Sequence, residues 1–245
     1  MNVFLLKRIG RVLLGGTLLL GPVSCSDFLE EQPPSALTPD AFYNIPDHAE
    51  SAVNAVYADM RYIGGGAGIF SSNWQLLEAM TGTSTTETAQ NSDLNNLYAL
   101  IHDGNTAHVV NWWNGTYRVI AQANQVIDRV PVIPGISDAL SKRVLAQAKF
   151  LRAWAYFQAV RLWGDVPLIT KPQTATSEDF FPTRAPQEQV YQLILADLTE
   201  VEAGGLPWMD QSGRVNLAAV KALLAKVHLT MAGFPLQKGA SHYKL

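Results

Sequence analysis

The chain has 245 residues, 48% apolar and 16% charged, which is material for one large folded body or two small ones. A formal net charge of −3 gives no broad basic field, which argues against nucleic acid as a partner. One cysteine excludes an internal disulfide framework.

The first element in chain order is an export signal. Lys7, Arg8 and Arg11 make a positive start, residues 12–21 an apolar run, and the small Ser24 precedes Cys25. That run is well short of the roughly 20 residues a spanning helix needs, and its glycines weaken a helix further. Residues 1–24 therefore read as a removable signal, with Cys25 as a lipidated mature N-terminus. Cleavage nearby with an ordinary thiol is the alternative reading. Position −3 is Pro22, where lipoprotein signals usually carry Leu. The two or three acyl chains of such lipoproteins suffice for durable attachment.

Residues 25–46 read as a tether. Pro33 and Pro34 resist helix, Glu30 and Glu31 hold the segment in water, and Thr38-Pro39 opens one helical turn. Residues 47–245 read as one helical domain. Ala49, Ala52, Val53, Val56, Tyr57 and Met60 form a buried stripe from Asp47 to the glycine run that starts at Gly64. That run lacks a following Gly-Lys-Ser/Thr and reads as a connector rather than a phosphate cradle. A helical segment is expected around residues 73–80, then a polar, turn-rich loop over residues 81–93, long enough to be functional.

From Asn111 the pattern is almost all helix. Trp113, Tyr117, Ile120, Asn124 and Ile127 step by four and three, and Pro131 and Pro134 end the run. Ser137 is the expected cap of a long helix with one stripe through Leu140, Val144, Ala148, Leu151, Ala155 and Leu162. A second face carries Phe150, Trp154, Phe157 and Arg161. A helix apolar on two sides needs neighbours on both, as in stacked helical repeats. Gly164 closes it. Two further helices are expected, one opened by Pro186 and one capped by Asn216. The fold class is mainly all-α, built from tetratricopeptide-like helix-turn-helix repeats with irregular loops.

Chemistry is sparse. His102, Asp103 and His108 are the nearest approach to a metal set, but a spacing of six matches no zinc motif and a chance grouping reads better. No nucleophile signature is present. Glu78, Glu87 and Asp93 are acids in or near the polar loop, without support for the separation a glycosidase needs. Buried Asn124 is expected to bond a neighbouring helix or loop backbone. Arg161 is expected to cover a helix junction or pair with Asp165. Asn114-Gly-Thr116 fits a glycosylation sequon of little weight in a bacterial lipoprotein.

Several ordered motifs carry a family resemblance. They are Ser24-Cys-Ser-Asp-Phe-Leu-Glu-Glu-Gln-Pro-Pro-Ser35, Leu37-Thr-Pro-Asp-Ala-Phe-Tyr43 and Trp113-Asn-Gly-Thr-Tyr-Arg-Val-Ile-Ala-Gln-Ala-Asn124. Ala146-Gln-Ala-Lys-Phe-Leu-Arg-Ala-Trp-Ala-Tyr-Phe157, Arg161-Leu-Trp-Gly-Asp-Val-Pro-Leu168 and the helical run from Ala218 to Leu236 complete them. The sequence resembles the N-terminal half of the SusD/RagB outer-membrane lipoproteins, whose members are usually about twice this length; a truncated chain is the expectation.

The resemblance implies a SusD-like α-α superhelix, lipid-anchored at the outer membrane and facing the cell surface. It also implies capture of oligosaccharide or another nutrient beside a TonB-dependent, SusC-like transporter, with no catalysis, metal or cofactor. In glycan-binding relatives, aromatic faces and hydrogen-bonding amides hold the sugar, and one contributing loop precedes the helix of Trp113. The counterpart here, residues 81–96, has no Trp or Tyr. Asn91, Asp93 and Asn96 are the expected hydrogen-bonding candidates, with Tyr98 and Trp74 the nearest aromatics; turn formers and core residues are the plainer readings. Two rival functions remain at this stage: a lipid-anchored scaffold with protein partners only, and a surface glycoside hydrolase.

Overall fold

The computed structural model describes residues 39–65, 73–83, 92–177, 180–234, 236, 237 and 239. The chain divides into Met1–Thr38 and Pro39–Leu245. The signal, Cys25, Asn91 and Glu87 lie outside the described residues.

The body starts at α1 (Pro39–Phe42), ahead of Asp47, and Phe42 and Tyr43 pack against the main core. α2 (Asp47–Asp59) buries Ala49, Ala52, Val53 and Val56, the expected stripe, and carries Asp47 and Glu50 in its first turn, where the helix dipole favours acids. A 3-10 turn, Met60–Gly64, follows. Two short helices, α3 (Gln75–Ala79) and α4 (Ser92–Tyr98), precede α5 (Ala107–Arg129). α4 occupies part of the segment read as loop, so Asp93 and Asn96 stand on a helix. Its Leu94 and Leu97 are buried, an i, i+3 pair too short for periodicity to reveal.

α5 begins four residues before Asn111 and places His108 in its first turn. Gly115 lies against the Tyr62 ring, where any Cβ would collide, and Tyr62 Oη is 2.9 Å from Thr116 Oγ1. The sequon residues Gly115 and Thr116 are thus packing residues, both buried.

α6 (Asp138–Trp163) is the central helix. Ser137 Oγ accepts from Leu140 N at 3.3 Å, the expected cap, and Gly164 ends the helix at φ 69° with its N–H on Val160 O at 3.0 Å. α6 contacts α2, α5, α7 (Gln187–Ala203) and α8 (Leu217–Ala232); on its second expected face Phe157 is buried, Phe150 and Trp154 are partly buried and Arg161 is exposed. Asn216 Oδ1 caps α8 through Ala219 N at 2.9 Å. Between α6 and α7, β1 (Val166–Pro167) pairs antiparallel with β2 (Arg184–Ala185), matching Val166 with Ala185 and Pro167 with Arg184.

Arg161 does not pair with Asp165. Its guanidinium lies 4.5 Å from the centre of the Phe157 ring and bonds Gln158 and the Phe157 carbonyl, while Asp165 Oδ1 accepts from Gln187 N at 2.8 Å and so caps α7. Asn124 behaves as expected, donating to Ile169 O at 2.9 Å. Its oxygen accepts from Arg152 Nη1 at 2.8 Å, and Arg152 also grips Asp197 through Nε–Oδ2 at 2.8 Å and Nη2–Oδ1 at 2.7 Å. Among the described residues no helix is long and apolar enough to cross a membrane.

Candidate functional site

The segments that the sequence singles out build a small lobe with its own core of Leu76, Ala79, Leu94, Leu97 and Trp112. Asn73 is the knot that fixes it. Its N–H donates to Gly65 O at 2.9 Å, and its side-chain amide donates to Tyr62 O at 2.6 Å. Its Oδ1 accepts from Asn111 at 3.1 Å, and its carbonyl accepts the Trp112 indole N–H. A residue tied at every polar atom leaves the next one little freedom. Trp74 therefore projects from the head of α3, 45% exposed, contrary to the core position expected of such an aromatic.

The remaining candidates divide. Asp93 and Asn96 sit one turn apart on α4, both half-buried, and the Asn96 side-chain amide has no hydrogen-bond partner among the described residues. Tyr98 packs against the lobe core. Asp93 acts on His108, which is 3% exposed with both ring nitrogens unpaired. Burial pushes the His108 pKa below its ordinary value, and the Asp93 carboxylate works against that shift. Among the described residues no group of three side chains can hold a metal.

Trp74, Asp93, Asn96 and Tyr98 do not line the cleft that the lobe forms against the end of α6. This cleft, about 320 Å3, has an apolar wall of Leu76, Met80, Val109, Leu162 and Trp163 and a polar rim of His102 and Asp103. Trp163 is held edge-on by Trp113, ring centres 5.1 Å apart. Asp103 Oδ1 accepts from Asn105 N at 2.9 Å and folds the turn before α5, whereas His102 Nδ1 is buried and unpaired. An aromatic wall with a half-buried histidine at the rim suits a hydroxylated ring, whose C–H faces pack on indole. His102 was visible in the sequence only as half of a failed metal spacing. Trp163 stood in the sequence only inside the motif Arg161–Leu168, with no sign of a binding role, because it ends the apolar run of α6. A larger cleft, about 720 Å3, is lined from residues 168–177 and 182–189 and has no aromatic among its described lining residues.

Comparison with known proteins agrees with this fold. A SusD-like family model described as "Starch-binding associating with outer membrane" matches residues 27–229. The chain belongs to the SusD-like family. The SusD-like protein P25 of Formosa agariphila is 28% identical over 229 residues, 91% of this chain and 43% of that protein. A SusD superfamily protein from Parabacteroides distasonis superposes with a TM-score of 0.76 at 35% identity, over 81% of this chain and 42% of that one. A laminarin-binding SusD-like protein superposes with a TM-score of 0.69 at 26% identity, over 82% and 43%. The chain thus spans less than half the length of these SusD-like relatives.

Proposed function

We propose that this SusD-like chain is the ligand-capturing part of a surface lipoprotein. The reading is that Cys25 carries the lipid, the lobe cleft holds a neutral glycan, and a TonB-dependent, SusC-like transporter receives it at the outer membrane. The observation that carries the glycan reading is the cleft itself: Trp163 in its wall and His102 at its rim, with exposed Trp74 on the same lobe. The likeness to a laminarin-binding relative supports it. Among the described lining residues Asp103 is the one carboxylate and its Oδ1 is bonded within the turn, which supports capture rather than hydrolysis. Capture followed by release needs modest affinity and no covalent step.

Native electrophoresis in gels carrying laminarin, xyloglucan or starch tests the reading. Retardation by at least one polysaccharide, without release of reducing sugar, is the expected result. Unretarded migration in all of them, together with binding to peptides, would replace glycan capture with a protein-partner role.

A further inference from the structure

The loop between α7 and α8 is folded onto the body at both of its ends. Leu206 and Val215 are buried in a small core with Ala146, Val201 and Val220. Pro207 O accepts from Leu217 N at 2.8 Å and Trp208 O from Ala218 N at 3.2 Å, so this part of the loop satisfies the leading N–H groups of α8. Tyr57 Oη accepts from Val215 N at 3.0 Å and donates to Gln147 Oε1 at 3.0 Å, joining the loop to α2 and α6. The Trp208 backbone is thereby fixed while the residue stays 59% exposed.

Between this loop, α2 and the first half of α6 lies a cleft of about 450 Å3. Its charged lining residues are Glu50, Arg143, Asp210 and Arg214, two cations against two carboxylates. Arg214 is committed to the framework. Its Nη1 donates to Gln147 Oε1 at 2.9 Å and its Nη2 to Asn54 Oδ1 at 2.6 Å, with Glu50 Oε2 3.4 Å away. Glu50 also accepts from Arg143 Nη2, so one carboxylate ties both guanidiniums. The other nitrogens of Arg143 have no hydrogen-bond partner among the described residues, and its side chain is 58% exposed.

From the loop, Asp210 Oδ1 accepts from Ser212 N at 2.7 Å and from the Ser212 hydroxyl. Those two bonds hold the carboxyl below its ordinary pKa, and Arg214 and Arg143 add to the effect, so it is ionised at neutral pH. Asp210 Oδ2 is neither bonded among the described residues nor buried. The cleft therefore presents free donors from α6 and a free acceptor from the loop.

Balanced charge selects against ions. An anion gains from the guanidiniums but meets two carboxylates, and a cation meets the reverse. A hydroxyl both donates and accepts, so neighbouring hydroxyls of one sugar ring can give to Asp210 Oδ2 and take from Arg143. The C–H face of such a ring packs on an exposed aromatic, and Trp208 stands between the lining residues Pro207 and Asp210. Because the framework is already tied through Tyr57, Gln147 and Glu50, little ordering cost is added on binding.

We propose that the α7–α8 loop and α6 form a second saccharide site, for neutral oligosaccharides. Asp210 Oδ2 accepts from one hydroxyl, Arg143 donates to another, and Trp208 packs on the ring face. The saccharide class rests on the glycan reading above, but the cleft and its residues are separate from those of the lobe.

Calorimetric titration of His102→Ala/Trp74→Ala protein, with its lobe cleft impaired, against laminarin- and xyloglucan-derived oligosaccharides and against tetraalanine tests the site. At least one oligosaccharide is expected to bind still. Adding Asp210→Asn keeps an oxygen for the Ser212 bonds and turns the free acceptor into a donor. It should weaken that binding roughly tenfold, as loss of a bond to a charged group does. Trp208→Ala should weaken it about fivefold, and Arg143→Gln several-fold. The thermal midpoint should not change with Asp210→Asn or Trp208→Ala, because the turn and the α8 cap keep their bonds. Binding by wild type but not by the lobe-impaired protein would overturn the proposal and leave the lobe reading standing. Residual binding untouched by Asp210→Asn and Trp208→Ala, or tetraalanine bound more tightly than the oligosaccharides, would overturn it too. Wild-type affinity kept by the lobe-impaired protein and lost with Asp210→Asn would support this site and remove the lobe's. No binding by wild type would overturn both.

Discussion

Replacing Asp197 by Ala removes the carboxylate that neutralises Arg152 in the centre of the fold. The two side chains are only 5% and 7% exposed, and the pair closes through two hydrogen bonds of 2.8 and 2.7 Å. Burial raises the Asp197 pKa, and the guanidinium opposes that rise without cancelling it, so desolvation of the pair is incompletely offset. Removing one member of a buried pair costs about 3–5 kcal/mol, because the other charge stays buried alone. The lost bonds give a similar figure, about 1.5–3 kcal/mol for each bond to a charged group. At this chain length that corresponds to a fall in thermal midpoint of roughly 6–20 °C.

The informative comparison is Arg152→Met/Asp197→Leu, which removes both charges. Apolar replacement of a buried pair is often neutral or stabilising. The double variant still loses the bonds from Arg152 to Asn124 and Thr170, so it should recover at least half of the loss without reaching wild type. Urea unfolding followed by far-ultraviolet circular dichroism gives both values. A single variant within 1 kcal/mol of wild type, on the order of the error of such extrapolations, would refute the reasoning. A double variant as damaged as the single one would do the same.

His108 should make the protein acid-sensitive. Its folded pKa is lowered by burial, so above its unfolded value of 6.5 both states are neutral and nothing is lost. As pH falls through that value the unfolded chain takes up a proton that the folded chain resists, and stability declines until the folded pKa is passed. Urea midpoints between pH 7.5 and 5 should fall more steeply for wild type than for His108→Gln; parallel curves would contradict this. Gly115→Ala should cost about 1–3 kcal/mol despite the better helix propensity of Ala, since the new Cβ meets the Tyr62 ring close to its backbone. Tyr62→Ala in the same background should remove that overpacking penalty, as urea midpoints of the two variants would show. Mass spectrometry of detergent-extracted protein should find Cys25 acylated at the mature N-terminus, and Cys25→Ala should abolish the modification; an unmodified thiol would end the anchoring proposal.

Much of the helical body was legible because burial has a period. The caps Ser137 and Asn216, the stripe of α2 and the two-sided burial of α6 all follow from spacing and capping chemistry. α4 escaped because seven residues in polar company give no usable period. Arg152 looked like part of an apolar run, and its partner Asp197 is 45 residues away, so one-dimensional spacing carried no trace of the pair. The lobe cleft was illegible for a similar reason. His102, Met80 and Trp163 come from three separate segments, and only packing of α3 and α5 beside the end of α6 brings them together. Trp74 was noticed as an aromatic, but its exposure depends on how Asn73 is tied.

The most direct test of glycan capture at the lobe is calorimetric titration of wild type, His102→Ala and Trp74→Ala with laminarin- and xyloglucan-derived oligosaccharides. Wild type should bind at least one of them. His102→Ala should weaken that binding roughly tenfold, the loss of about one hydrogen bond from a desolvated site, and Trp74→Ala should weaken it further for longer chains. Wild-type affinity retained in both variants, or no binding by wild type, would contradict the assignment of the lobe as the capture site.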